Sequence, residues 1–170
     1  MNEVGILKLD YKKEAIKALN NRGVELSDIA SLVYFLQEKY RENLELDLCY
    51  EMVEKVLGKR EVQFTILTGI ELDVLAEKGL LSPVVAELLM TDYGLYGVDE
   101  VLALSICNVY GSIGFTNFGY IDKTKPGIIK KLDDHADDPD SCHTFLDDIV
   151  GAIAAAAAAR LAHSVIEGEQ

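Results

Sequence analysis

Cysteine is scarce in this chain. Cys49, Cys107 and Cys142 are odd in number and widely spaced. That excludes a disulfide framework and fits reduced thiols in a cytosolic protein. Positive charge is also in short supply: 16 Lys and Arg face 29 Asp and Glu, a formal net charge of −13. A chain without a basic footprint is not a non-specific nucleic-acid binder, because phosphate contacts need clustered cations. The same balance discourages free approach to an anionic membrane. The opening MNEVGILKLD has no basic flank ahead of a long apolar run, so it does not read as a secretory signal. No stretch offers the roughly 18 or more predominantly apolar residues of a membrane span. Residues 101 to 121 come nearest and carry no charge, but Ser105, Asn108, Gly111, Ser112, Gly114, Thr116, Asn117 and Gly119 interrupt them. They read as protein interior. A glycine-rich nucleotide phosphate loop and a Gly-x-Ser-x-Gly elbow are both missing.

What is present is helical. At 170 residues and 49% apolar content, the chain is long enough for one domain with a sizeable core. Val4, Ile6, Leu7 and Leu9 have no clean period and suit a short extended arm. After Asp10 the apolar spacing becomes helical, with Ala15, Ile16, Ala18 and Leu19 in a stripe that ends at Gly23. Ser27 is the expected cap of a helix to about Glu42, and Asp47 of a third that stops at Gly58. A fourth spans 60 to 78, and Ser82-Pro83 opens a fifth running to about Asp92. The pattern predicts an all-α fold, a multihelical array around a central buried helix, in one domain over 1–170. The segment after Val98 is apolar on nearly every side, which marks it as that central helix. A last helix from about Thr144 to Val165 has Thr144 as its expected cap, with Asp147 completing a capping box. Residues 1–80 form N-terminal helices that suit a lid or an oligomer surface, and 81–165 hold the chemistry-bearing core.

Three sets of acids stand out: Asp99 with Glu100, Asp122, and Asp147 with Asp148. So many carboxylates in one domain repel one another unless they face water or a cation. Acids in a first helical turn also complement the helix dipole, which is the plainer explanation for 99, 100, 147 and 148. Asp147 and Asp148 head a stripe of very small side chains on the last helix. Two acids at the mouth of a tight helix seam need partners if they are buried. Oxygen-only ligands suit Mg²⁺ rather than zinc. Cys142, His143 and His135 make only a weak zinc set. Lys123 and Lys125 place positive charge beside the acids. Metal plus lysine is what a phosphate monoester needs. The acids from 133 to 140 read as a solvated loop.

Val98-Asp99-Glu100, the run Phe118-Gly119-Tyr120-Ile121-Asp122-Lys123-Thr124-Lys125-Pro126, and Leu146-Asp147-Asp148-Ile149-Val150-Gly151-Ala152 together resemble the motifs of the phosphatidylglycerophosphatase A family. The likeness is greatest to its soluble branch, which includes the low-temperature-requirement C protein of Gram-positive bacteria. It spans about Leu81 to Ala162. It implies a multihelical fold and Mg²⁺-dependent removal of the terminal phosphate from phosphatidylglycerophosphate. Carried over by motif, Asp99, Glu100, Asp122, Asp147 and Asp148 are the implied metal ligands. Asp122, Lys125 and Asp148 are the implied catalytic residues, and Lys123 and Lys125 the implied substrate contacts. Gly119 stands where the family often has an arginine, which removes one bidentate phosphate ligand.

Two other readings stay open on the sequence. One is a non-catalytic helical binding or regulatory module derived from that family. The other is an all-helical nucleotide pyrophosphohydrolase using Glu-x-x-Glu pairs, for which Glu42 with Glu45 and Glu51 with Glu54 have the spacing. The small-residue stripe and the uncharged interior segment suggest a homo-oligomer. The expected location is cytoplasmic, or peripheral to a membrane whose lipid supplies the substrate.

Overall fold

The computed structural model describes residues 9–134 and 138–168, with the side chains of 165–168 left aside. The proposed arm at Val4, Ile6 and Leu7, together with His135 and Asp137, lies outside the described residues. Among the described residues the chain is nine α-helices and no strand: α1 Tyr11–Asn21, α2 Leu26–Gln37, α3 Leu46–Leu57, α4 Arg60–Glu77, α5 Pro83–Met90, α6 Val98–Cys107, α7 Ser112–Thr124, α8 Ile128–Asp133 and α9 Leu146–Gly168. None of them is long and apolar enough to cross a membrane.

The array is built around α9, not around the segment after Val98. Every residue from Ala152 to Ala159 is fully buried. Helices α2, α3, α6 and α7 pack along α9, with α4 and α8 adding to its cover. Alanine does this because its side chain ends at Cβ. Helices can then close on every side of a rod about 35 Å long. The α6 segment is instead half outside, with Val98 50% and Val101 68% exposed. Its uniformly apolar pattern marked it as interior, but a helix apolar on all sides can still leave a face uncovered. The uncharged run from 101 to 121 is two helices, parted by a turn at Gly111, whose φ is +75°. The small-residue stripe of α9 is consumed by contacts within the chain. It therefore offers no surface for a second copy.

Helix starts also differ from the sequence reading. The cap of α2 is Glu25, which shares a reciprocal capping box with Asp28, so Ser27 falls inside the first turn. That helix ends at Gln37, five residues before Glu42. Glu45 rather than Asp47 precedes α3. Asp10, by contrast, does cap α1, accepting from the Lys13 amide at 3.2 Å. The N-terminal helices share one core with the rest: Ala15, Leu19, Val33 and Val53 are as buried as Phe145 and Ile149.

Helices α4 and α9 touch most closely at Gly69. A methyl added there would collide with the Ile149 side chain and press on the Cβ of Phe145 and the Leu102 side chain. Gly69→Ala is expected to destabilise the protein by about 1–3 kcal/mol through overpacking. That corresponds to a fall of about 2–4 °C in Tm per kcal/mol, measurable by thermal unfolding.

Candidate active site

The N-terminus of α9 lies deep in the protein and is capped from a distance. Asp73 of α4 is fully buried. Its carboxylate accepts from the amides of Phe145 (3.1 Å) and Leu146 (3.0 Å) and contacts the Cys142 thiol at 3.5 Å. Four residues on, Glu77 accepts from the Cys142 amide at 2.8 Å. Arg22 of α1 pairs with Glu77 at 2.9 Å and donates to the Cys142 carbonyl at 2.7 Å. Thr144 does not cap the helix: its hydroxyl donates to the Leu89 carbonyl at 2.7 Å. Asp147 closes no capping box with it. Burial drives the Asp73 carboxyl up to about 7, against the pull of the Phe145 amide, the Cys142 thiol and the Leu146 amide. The sequence signal for Asp73 was available: it lies in helical register with Ile66 and Ile70, a carboxylate on an apolar face.

This bracket sets the first turn of α9 at the floor of a cleft. Asp92, Tyr93, Gly94 and Gly97 from the α5–α6 turn line it, with Asp99 and Glu100 from α6, Asp122 and Lys125 from α7, and Asp147 and Asp148 from α9. The three acid sets singled out in the sequence thus converge on one place. Lys123, next to Asp122 on α7 but turned to another side of the helix, is exposed and does not line the cleft. Asp92 was not anticipated from the sequence. With Lys125 it is one of three described non-glycine residues at positive φ, at +46° and +45°. Backbone of this kind persists only where its surroundings hold it, and it gathers at functional sites.

Lys125 sits at the centre. Its ammonium lies 3.0 Å from Asp147, 3.1 Å from Asp122 and 3.3 Å from Asp133. Asp133 therefore belongs with this site rather than with the solvated loop. Burial works to lower the Lys125 pKa, but Asp147 and Asp122 outweigh it and hold the group above its ordinary value. Asp147 also accepts from the Asp148 amide at 2.9 Å. Asp148 has no such cation, although it is only 6% exposed. Burial, then Asp147, Asp99 and Asp122, push its carboxyl up to about 9. Burial likewise raises Asp99, whose Oδ1 is closed off from solvent without a hydrogen-bond partner.

These are the marks of a place short of positive charge. The donors are all carboxylate oxygens, as a hard divalent cation requires. The carboxylates are not drawn into a ready cage: among the described residues no three Asp, Glu, His or Cys side chains are grouped closely enough to hold an ion. Lys125 occupies the middle and takes three of them. The residues fit a cation in chemistry and in unbalanced charge, and a cation would compete with the ammonium.

The zinc alternative fails at its ligands. Cys142 is fully buried with its thiol against Asp73 and the Leu89 carbonyl, and His143 Nδ1 meets the Leu132 carbonyl at 3.1 Å. The pyrophosphohydrolase pairs are surface charges. Glu51 pairs with Lys55 on its own helix and Glu54 with Lys12, far from any cleft acid.

The family model for phosphatidylglycerophosphatase A matches residues 19–163. The chain belongs to that family. The match reaches back through α2, α3 and α4, so the N-terminal helices outside the motifs are part of the family's domain. The chain is 64% identical to the uncharacterised protein YutG of Bacillus subtilis, over 85% of this chain and 86% of that one. It is 60% identical to the uncharacterised YpjQ of the same organism, over 86% and 81%. Among solved structures it resembles the low temperature requirement C protein of Listeria monocytogenes with a TM-score of 0.90 and 63% identity, covering 93% of this chain and 98% of that one.

Proposed function

We propose that this phosphatidylglycerophosphatase A family member is a Mg²⁺-dependent phosphomonoester hydrolase acting on phosphatidylglycerophosphate or a related substrate. The observation that carries the reading is the convergence of Asp99 and Glu100, Asp122 and Lys125, and Asp147 and Asp148 from three helices, with the charge of Asp148 unbalanced. Asp99, Glu100, Asp122, Asp147 and Asp148 would hold the ion. When bound, Mg²⁺ supplies charge neutralisation for the phosphoryl oxygens and lowers the pKa of a coordinated water.

The chain's own groups do the rest. Lys125 stays an ammonium across the working pH range because Asp147 and Asp122 stabilise its charge. Lys125 would bind a phosphoryl oxygen where Asp122 and Asp147 were engaged by a cation instead of by its ammonium. Asp122 and Asp148, both lining the cleft, would orient or deprotonate the attacking group. The cleft holds about 140 Å³. That is below the usual size of a site for a drug-sized ligand. Only the phosphate end of a substrate enters it, and any acyl chains stay outside, at a membrane surface.

Phosphate release from phosphatidylglycerophosphate and from a panel of soluble phosphomonoesters, with and without Mg²⁺, tests this. The expected result is metal-dependent release from at least one lipid substrate. No release from any of them, in protein shown to be folded, sinks the enzyme reading and leaves a binding module.

A further inference from the structure

A cavity of about 390 Å³ lies away from the acidic cleft. Lys55 of α3, Tyr110 of the α6–α7 turn, and Arg160 and His163 of α9 face it, beside the apolar Met52 and Val109. Among the described residues no Asp or Glu lines it, in a chain where acids outnumber bases nearly two to one. Arg160 makes no ion pair among the described residues. Lys55 pairs only with Glu51 of its own helix, an exposed contact that an anion displaces at little cost. The Tyr110 hydroxyl is closed off from solvent and has no hydrogen-bond partner among the described residues. Burial raises its pKa and Glu61 adds to the rise, while the charge of Arg160 and the approach of its guanidinium to the hydroxyl oppose it. A guanidinium only donates, so the hydroxyl proton is left without an acceptor among the described residues.

Cations near the end of α9 complement its dipole. That accounts for charge near the helix terminus. It does not account for a buried hydroxyl donor left unpaired, nor for a cavity with cations from two separate helices. A buried polar group without a partner costs about 1–3 kcal/mol, and a bound anion would remove that cost. Twelve residues of α9 separate Asp148 from Arg160, about 18 Å at the helical rise. The two sites are opposite in charge and do not overlap.

We propose that the cavity between Lys55, Tyr110 and Arg160 is a second site that binds a phosphate-type anion, either inorganic phosphate or a small phosphate monoester. Arg160 gives a planar pair of donors to two oxygens, the Tyr110 hydroxyl donates to a third, and Lys55 neutralises charge at the rim. Met52 and Val109 leave room for a small apolar substituent on the ester. The site does not rest on the phosphatase reading, because in metal-free protein the cleft's Lys125 is already held by three carboxylates and the surplus of acids there repels an anion.

The test is calorimetric titration of full-length, metal-free protein with inorganic phosphate and with phenyl phosphate at constant ionic strength. Saturable binding is expected with a Kd of about 1 mM or tighter. Whichever probe binds more tightly identifies the source, free phosphate or ester. Arg160→Gln is expected to weaken binding at least tenfold and Tyr110→Phe about threefold, while Asp148→Asn leaves it unchanged. Tyr110→Phe keeps the ring and its packing, so it decides the matter if Arg160→Gln does not fold. The proposal is overturned if neither probe saturates, if Tyr110→Phe binds as the parent does, or if Asp148→Asn alters the affinity.

Discussion

Asp148→Asn is expected to make the metal-free protein more stable and the enzyme inactive. The reason is the same for both halves. Asp148 is a buried carboxyl crowded by Asp147, Asp99 and Asp122, with no cation of its own. A carboxyl whose folded pKa lies above its unfolded value favours folding most at low pH, and that contribution is lost as pH climbs through the folded value. For Asp148 the window runs from 3.8 to about 9. At pH 8 the unfolded carboxyl is ionised and the folded one must take up a proton, which opposes folding; asparagine, which never ionises, removes that cost while keeping the shape. The gain is on the order of 1 kcal/mol or more, about 2–4 °C in Tm for each. The advantage of the variant shrinks as the pH is lowered toward 5, because protonating the carboxyl on folding costs less as the pH nears its unfolded value. Added Mg²⁺ reverses the order, stabilising wild type more than the variant. Turnover falls at least about a hundredfold, since even outer partners of metal ligands cost 10–100-fold. Thermal unfolding from pH 5 to 9 with and without Mg²⁺, beside phosphate-release assays, reads every part. A variant less stable than wild type at pH 8 without metal contradicts the account of the charge.

The acid sets were legible in the sequence because motif residues near helix starts are local features. Asp99, Glu100, Asp147 and Asp148 stand in first turns, and Asp122 and Lys125 lie three apart, close enough in the chain to meet even though Lys125 is the left-handed cap just past α7. The all-helical class was legible from apolar spacing for the same reason. The identity of the central helix was not. A uniformly apolar α6 and an alanine-rich α9 both pattern as interior, and only the assembled packing distinguishes them: six helices close around α9, while Val98 and Val101 of α6 remain outside. From the sequence, Asp133 reads as part of the solvated loop. Its role depends on the turn through Pro126 and Gly127, which brings α8 back toward Lys125 across eight residues. Asp92 escaped because its place in the cleft follows from a left-handed backbone that sequence spacing does not report. Caps supplied by neighbouring chain, such as Glu25, lie within reach of pattern reading. A cap supplied from 72 or 73 residues away, as Asp73 serves Phe145 and Leu146, does not.

That distant cap carries the second large expectation. Asp73→Ala removes the acceptor for two buried amides at the start of α9 and offers nothing in return. Each orphaned donor costs about 1–3 kcal/mol, so the loss is about 2–5 kcal/mol. At 2–4 °C for each kcal/mol, Tm falls by roughly 5–20 °C. Asp73→Asn should fall less, because one amide oxygen still accepts, although its NH₂ then faces other donors. Arg22→Ala should be milder still, since Glu77 keeps its bond from the Cys142 amide. Stability alone would make Asp73 an ordinary structural acid. Its position makes a further demand. The amides it holds belong to Phe145 and Leu146, immediately before Asp147 and Asp148 in the chain. Loosening them lets both carboxylates move in the cleft. Asp73→Asn, assayed well below its own Tm, is therefore expected to need about 10–100-fold more Mg²⁺ for half-maximal binding, the range found for outer partners of metal ligands. Hydrogen exchange across residues 142–149 of the metal-free variant should rise, while that of α1 and α3 stays near wild type. Unchanged metal affinity together with uniform loss of protection would confine Asp73 to holding the fold together.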